Sequence, residues 1–271
     1  MWYREVEKKM KGAFRFYRHC ISISIRCSMQ YKVSFFLTAM GQFLVSFNVF
    51  LGIFFMFQRF SRVKGFSYSE VLLCFSIMLM EFSLAEMWAR GFDTFPGLIR
   101  SGEFDRIMVR PRGLVLQVLG SKFELTRIGR MLQAAVMFVY GITSSGVDWT
   151  FGRVVTVIFM MIGGTAMFTG LFLIYAALSF FTLEGLEFMN IFTDGAREFG
   201  RYPMEVYGKR MLQFCTFIIP YALVQYYPLL YLLGRVSGPV YIFLPLLAVL
   251  FLAPGWLLWR FGVRHYQSAG S

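Results

Sequence analysis

The sequence predicts an all-α integral membrane protein: six transmembrane helices preceded by an amphipathic helix at the membrane surface, with both termini cytoplasmic. Three observations predict it. Hydrophobic residues make up 57% of the 271 positions while charged residues make up 15%, against about a quarter in a soluble domain. No water-facing surface would remain wettable once 33 Phe had to be accommodated, so lipid must be part of the solvent. The apolar segments lack strand-like alternation, and hydrocarbon requires a backbone that satisfies its own polar groups, which leaves the helix.

The chain begins "MWYREVEKKMKGAFRFYRHC". It lacks the early apolar core and small-residue cleavage site of a leader, so the first span is expected to direct insertion itself. Tyr3, Val6, Met10, Ala13, Tyr17 and Ile21 recur at three- and four-residue steps. Arg4, Lys8, Lys11, Arg15 and Arg18 recur likewise on another face. Such spacing makes residues 1–32 a basic amphipathic segment suited to an anionic lipid surface. A plain positive anchor for topology is a compatible reading, and the alternation in "ISISIRC" leaves a strand as a competitor.

Spans need roughly 20 mainly apolar residues. Six runs qualify, at 33–57, 69–89, 127–146, 154–181, 211–232 and 240–260, within a transmembrane domain of 33–261 and ahead of a tail at 262–271. Arg127 and Arg130 open the third run and are expected to snorkel toward head groups. The fifth contains Pro220 and Pro228; it is expected to stop near Gln225, leaving "YYPLLYLLGRVSG" as a short helix or re-entrant piece. With the N-terminus inside, 22 of the 27 Lys and Arg fall on cytoplasmic segments, as the positive-inside rule demands. That asymmetry explains the net charge of +12 without nucleic acid.

The longest polar connection, 90–126, lies inside by this count. Within it "SGEFDRIMVRPR" carries three basic and two acidic residues. Pro96 and Gly97 are expected to end one piece. "LIRSGEFDRIMV" is expected to form a short helix with Phe104, Ile107 and Met108 on one side, stopped by Pro111. A second amphipathic piece, "GLVLQVLGSKFEL", returns to the membrane. Ordering such a loop costs conformational entropy, which membrane surface or a docked protein would offset.

"GLIRSGEFDRIMVRPRGLVLQVLGSKFE", "AREFGRYPMEVYG" and "IIPYALVQYYP" together resemble the permease subunit of ATP-binding-cassette transporters, in a bacterial branch of the type-two exporters. The resemblance covers nearly the whole chain. It implies a dimer with a second permease chain, identical or related, in the bacterial cytoplasmic membrane. It further implies separate ATPase subunits that hold ATP and Mg, and a coupling helix between spans two and three. Carried onto this chain, the coupling residues are Glu103, Phe104, Asp105, Arg106, Arg110, Pro111 and Arg112. The sequence has no G-x-x-x-x-G-K-[ST] loop, as expected where ATP is hydrolysed on another chain. No cofactor is expected on this one.

The second inner loop contains Asp194, Arg197, Glu198 and Arg201, which can pair at helical spacing. A further cytoplasmic contact with the ATPase or partner permease is one reading, and a self-contained turn the other. Inside the spans, Gln42, Asn48 and Glu81 are candidates for a substrate path, against ordinary interhelical hydrogen bonds. Glu86 is set to pair with Arg90 four residues on, and Glu81 to pair with Arg127 or Arg130. Gly163, Gly164, Ala166 and Gly170 offer a small-residue face for close packing. Cys20, Cys27, Cys74 and Cys215 form no metal or disulfide pattern. His19 and His265 are far apart, and H-E-x-x-H is absent. A stand-alone secondary transporter would rest on Glu81 and the Pro220 region. A membrane enzyme acting on lipid would need a cluster of acid-base residues that the sequence lacks.

Overall fold

The computed structural model describes residues 2–182 and 186–268, without the side chains of 2–11, 187 and 196. The stripes expected at Tyr3, Arg4, Val6, Lys8, Met10 and Lys11 therefore lie outside the described side chains, as does the end of the tail. Among the described residues the chain is mostly helical and holds no strand, only a β-bridge between Val63 and Phe66. "ISISIRC" is helical, inside α1 (Trp2–Gln30).

Four helical segments are long and apolar enough to cross a membrane. They are α2 (Lys32–Arg59), α3 (Tyr68–Asp93, with its continuation to Arg100), α8 (Phe151–Leu178), and the run from Val240 to His265. The last consists of α14 (Val240–Leu247) and α15 (Leu252–His265) joined by a 3-10 turn at Ala248–Phe251. Pro245 inside α14 removes one amide donor, which fits the tighter turn that follows. The number rises to five if α11 (Lys209–Phe217) and the stretch Tyr221–Leu232 count as one broken span, bent by 87°. That stretch comprises α12 (Tyr221–Val224) and α13 (Tyr226–Leu232). The sharp break thus falls at 218–220, ahead of Pro220, rather than at Gln225. The expected third span is α7 (Ile128–Ser144), 17 residues and about 26 Å long at 1.5 Å per residue, a little short of a hydrocarbon core.

The spans do not share the burial equally. Val71, Leu72, Leu73, Ile77, Met78 and Phe82, on all sides of α3, are buried, because α7 packs on one flank and α8 on another. Helix α2 rests chiefly on α7 and leaves Val33, Phe36, Leu37 and Met40 exposed. Glycines permit the closest crossings. A Cβ on Gly129 of α7 would stand 1.9 Å from the Ala39 carbonyl oxygen of α2, and one on Gly163 of α8 would stand 2.1 Å from that of Pro245. Gly170 meets Phe251 in the same interface, so this part of the small-residue face does bring helices together. Gly129→Ala is expected to cost about 1–3 kcal/mol through forced separation of α2 and α7. A lowered melting temperature in detergent is the readout, and an unchanged melt would contradict the close crossing.

Capping fixes where α3 begins. The Ser67 hydroxyl accepts from the Glu70 amide at 3.4 Å, and the Glu70 carboxylate accepts from the Ser67 amide at 2.7 Å, a capping box. Arg235, following α13, donates to Glu70 at 2.8 Å and tethers this end. At the other end α3 kinks at Ala89 (φ −113°, ψ 15°). Adjacent carbonyls then find partners outside the helix: Met87 accepts from the Glu124 amide at 3.2 Å. Trp88 accepts from the Tyr17 hydroxyl at 2.7 Å. Burial pushes the Tyr17 phenol up to about 12, so it remains a donor throughout the physiological range.

Candidate coupling site

The loop after α3 folds into α4 (Phe95–Arg100), α5 (Glu103–Met108) and α6 (Leu114–Leu119). Pro96 opens α4 instead of ending a piece, its ring suited to a first turn. Gly102 (φ 70°) takes the left-handed conformation between α4 and α5, so the expected single helix is two. Gly91 of α3 admits α6, whose Val118 carbonyl oxygen would stand 1.9 Å from a Cβ there.

Helix α5 is only six residues long and has no stability of its own. Phe104 supplies the anchor. It is fully buried, with ring centroids 5.0 Å from Phe95, 5.4 Å from Phe180 and 5.0 Å from Tyr266. Trp259 of α15 closes the group, 4.8 Å from Phe95. Edge-to-face geometry adds to the area buried by such rings. Asp105 is tied beside it, accepting from the Tyr266 hydroxyl at 3.1 Å and the Ser268 hydroxyl at 2.6 Å. Burial, and then the bond to Asp105, raise the Tyr266 phenol.

The seven sequence-derived coupling residues therefore divide. Phe104 and Asp105 turn inward. Glu103, Arg106, Arg110 and Pro111 stand exposed beside Val109, and none of these charges has an ion-pair partner among the described residues. Met108, expected on the apolar side with Phe104 and Ile107, is 39% exposed. Arg112 leans on α1, its guanidinium carbon 5.8 Å from the Phe16 ring centroid. Nothing in the sequence marked Phe180, Trp259 and Tyr266 as supports, because they lie more than 70 positions away from Phe104.

Arg127 and Arg130 do not snorkel. Both are buried around Glu86, whose one oxygen accepts from Arg90 at 3.2 Å and Arg127 at 3.1 Å while the other bonds Arg130. The Arg90 pairing matches its i, i+4 spacing, and Arg90 also meets Asp93 at 2.5 Å. Gln42 of α2 accepts from Arg130 at 2.6 Å, so this span residue makes an interhelical bond. The expected pairing of Glu81 with these arginines is incorrect. Glu81 faces α8, where a Cβ on Gly164 would lie 2.2 Å from its carboxylate. Its two oxygens are buried without a hydrogen-bond partner among the described residues. A side chain at 164 would displace the Glu81 carboxylate.

The connection from α8 to α11 includes α9 (Met189–Phe192) and α10 (Asp194–Phe199). It runs back along α3 instead of lying wholly beyond the helix ends. Arg197 sits 5.7 Å from the Phe82 ring, and the buried Gln225 amide donates to the Gly200 carbonyl at 2.7 Å and to Cys74 Sγ at 3.0 Å. Arg197 pairs with Asp194 at 3.9 Å and Glu198 at 3.2 Å, and Arg201 pairs with Glu198. A cavity of about 560 Å³ between this segment, α2 and α3 is lined by Asn48, Ser46, Arg197 and Arg201.

A family model described as ABC-2 family transporter protein matches residues 43–270. No curated protein and no solved structure matches the chain.

Proposed function

The chain belongs to the ABC-2 family of transporter proteins, a multi-pass membrane family, and we propose from that premise that it is the permease half of an ATP-driven exporter. Six spans with both termini cytoplasmic, in a bacterial inner membrane, complete the proposed topology. Separate ATPase subunits would bind ATP and Mg and grip the exposed edge of α5. The observation that carries this reading is that edge itself: Glu103 and Arg106 project unpaired from a six-residue helix whose other side is buried on an aromatic anchor, and Arg110 stands exposed just past its end. A charged surface held rigid in advance loses little entropy on docking.

Phe104 and Asp105 would act by positioning, and Asp194 to Arg201 as a brace between α3 and α11 rather than a second handle. The bare side of α2 suits a second permease chain, with cargo passing between the two near Asn48. Closure of the ATPases would favour one permease state by differential affinity.

The double variant Arg106→Glu/Arg110→Glu tests the assignment. Full-length chain purified from its own membranes is expected to retain the ATPase at least about tenfold less well, since like-charge contacts disrupt an interface strongly. The melting temperature of the permease itself is expected to hold, because both residues are exposed. Undiminished ATPase recovery and ATP hydrolysis in the purified complex would remove α5 from the coupling path. Transport by the chain alone under an ion gradient would support the secondary-transporter alternative.

A further inference from the structure

Where the coupling loop passes α1 it leaves a groove of about 840 Å³, lined by Gly12, Arg15, Phe16, Arg18, His19 and Arg112, together with a serine at 22. Gly12, Arg15, Phe16 and His19 recur at helical spacing, so one face of α1 meets Arg112 across the groove. Among the described side chains no carboxylate lines it, and Arg15, Arg18 and Arg112 have no ion-pair partner. Folding thus places three guanidinium groups around one groove.

The Arg112 backbone is tied to α6, and its side chain leans toward α1. Its carbonyl accepts from Gln117 Nε2 at 2.9 Å, and its guanidinium rests on Phe16. A Cβ on Gly12 would come 3.7 Å from Arg112 Nη1, so any longer side chain there would occupy the groove. The level of the groove follows from what flanks it. The Tyr17 hydroxyl is bonded to the backbone of Trp88 at the end of α3, and these two residues have the character of a membrane-interface belt. Phe14, 70% exposed, points away from the protein beside the basic face. Only Tyr31 separates α1 from the apolar α2.

We propose that this groove binds the phosphodiester headgroup of an anionic lipid, clamping α1 to the coupling loop through Arg15, Arg18, His19 and Arg112. Guanidinium groups bind phosphate oxygens through short, paired, charge-assisted hydrogen bonds. Phe14 alongside would meet the acyl region. The site does not depend on ATPase docking, which uses the exposed edge of α5.

Native mass spectrometry of the full-length chain tests it, with phosphatidylglycerol and phosphatidylcholine supplied in turn. Wild type is expected to retain phosphatidylglycerol preferentially, and retention is expected to fall about fivefold for each arginine lost in Arg15→Ala and Arg112→Ala. Gly12→Leu is expected to lower retention with every charge intact, which general attraction to a basic surface would not do. It also covers the case in which an arginine variant fails to fold. Equal retention of the two lipids would overturn the proposal, as would an equal loss in the Arg26→Ala/Arg100→Ala control, whose arginines lie outside the groove. Displacement by soluble glycerol phosphate as readily as by lipid would make this a free-phosphate site instead. Unchanged lipid retention with lost ATPase in the arginine variants would make it a protein contact.

Discussion

Glu86→Ala is expected to destabilise the chain by about 3–5 kcal/mol, the usual effect of removing one member of a buried ion pair. The magnitude comes from what stays behind. Arg127 and Arg130 side chains are only 10% and 4% exposed, and Glu86 is the carboxylate that meets both. Asp93 is paired with Arg90, and Gln42 offers Arg130 a neutral oxygen alone. Two guanidinium groups would remain buried with their countercharge gone. A drop of roughly 10 °C in the detergent melt is the expected readout. Adding Arg130→Met to Glu86→Met is expected to recover part of that loss, because deleting a whole pair leaves less charge stranded than deleting half. A melt unchanged by Glu86→Ala would mean that these arginines reach water or head groups after all.

This cluster also marks how far the sequence could be read. The i, i+4 spacing of Glu86 and Arg90 is a local rule, and it holds. Which glutamate meets Arg127 and Arg130 is not local. Glu81 and Glu86 are five residues apart and so point about 140° apart around one helix. The choice depends on which side of α3 receives α7, and hydropathy carries no such phase. For the same reason the apolar runs revealed α2, α3, α8 and the last span but not that α3 sits at the centre. Pro220 announced a break in the fifth run, but not that the chain would bend by 87° there. In the loop after α3, Phe104 and Ile107 were legible as an apolar side. Phe95 is close by in sequence, but the other rings that receive Phe104 come from just past α8 (Phe180), from α15 (Trp259) and from just past it (Tyr266), and nothing near Phe104 hints at them.

Phe104→Ala separates anchoring from contact. Truncating a fully buried Phe costs about 3–5 kcal/mol, and here the loss would fall on one short element. Helix α5 depends on Phe104 and Ile107 for burial and on the Asp105 bonds to Tyr266 and Ser268 for orientation. The spans are joined by their own helix-on-helix interfaces and do not rely on the ring. Amides of 103–108 are therefore expected to lose most of their protection in hydrogen exchange, while those of α3 and α8 keep theirs. If the exposed edge of α5 is the ATPase handle, ATPase recovery falls too, although Glu103, Arg106 and Arg110 are all still present: the charges remain but their fixed presentation is gone. Phe104→Leu, which refills much of the volume, is expected to restore part of both signals. The charge-reversal variant gives the converse pattern, with protection intact and recovery lost. Protection at 103–108 that survives Phe104→Ala would show that the aromatic group does not hold the helix, and the positioning role would have to pass to the C-terminal hydrogen bonds to Asp105.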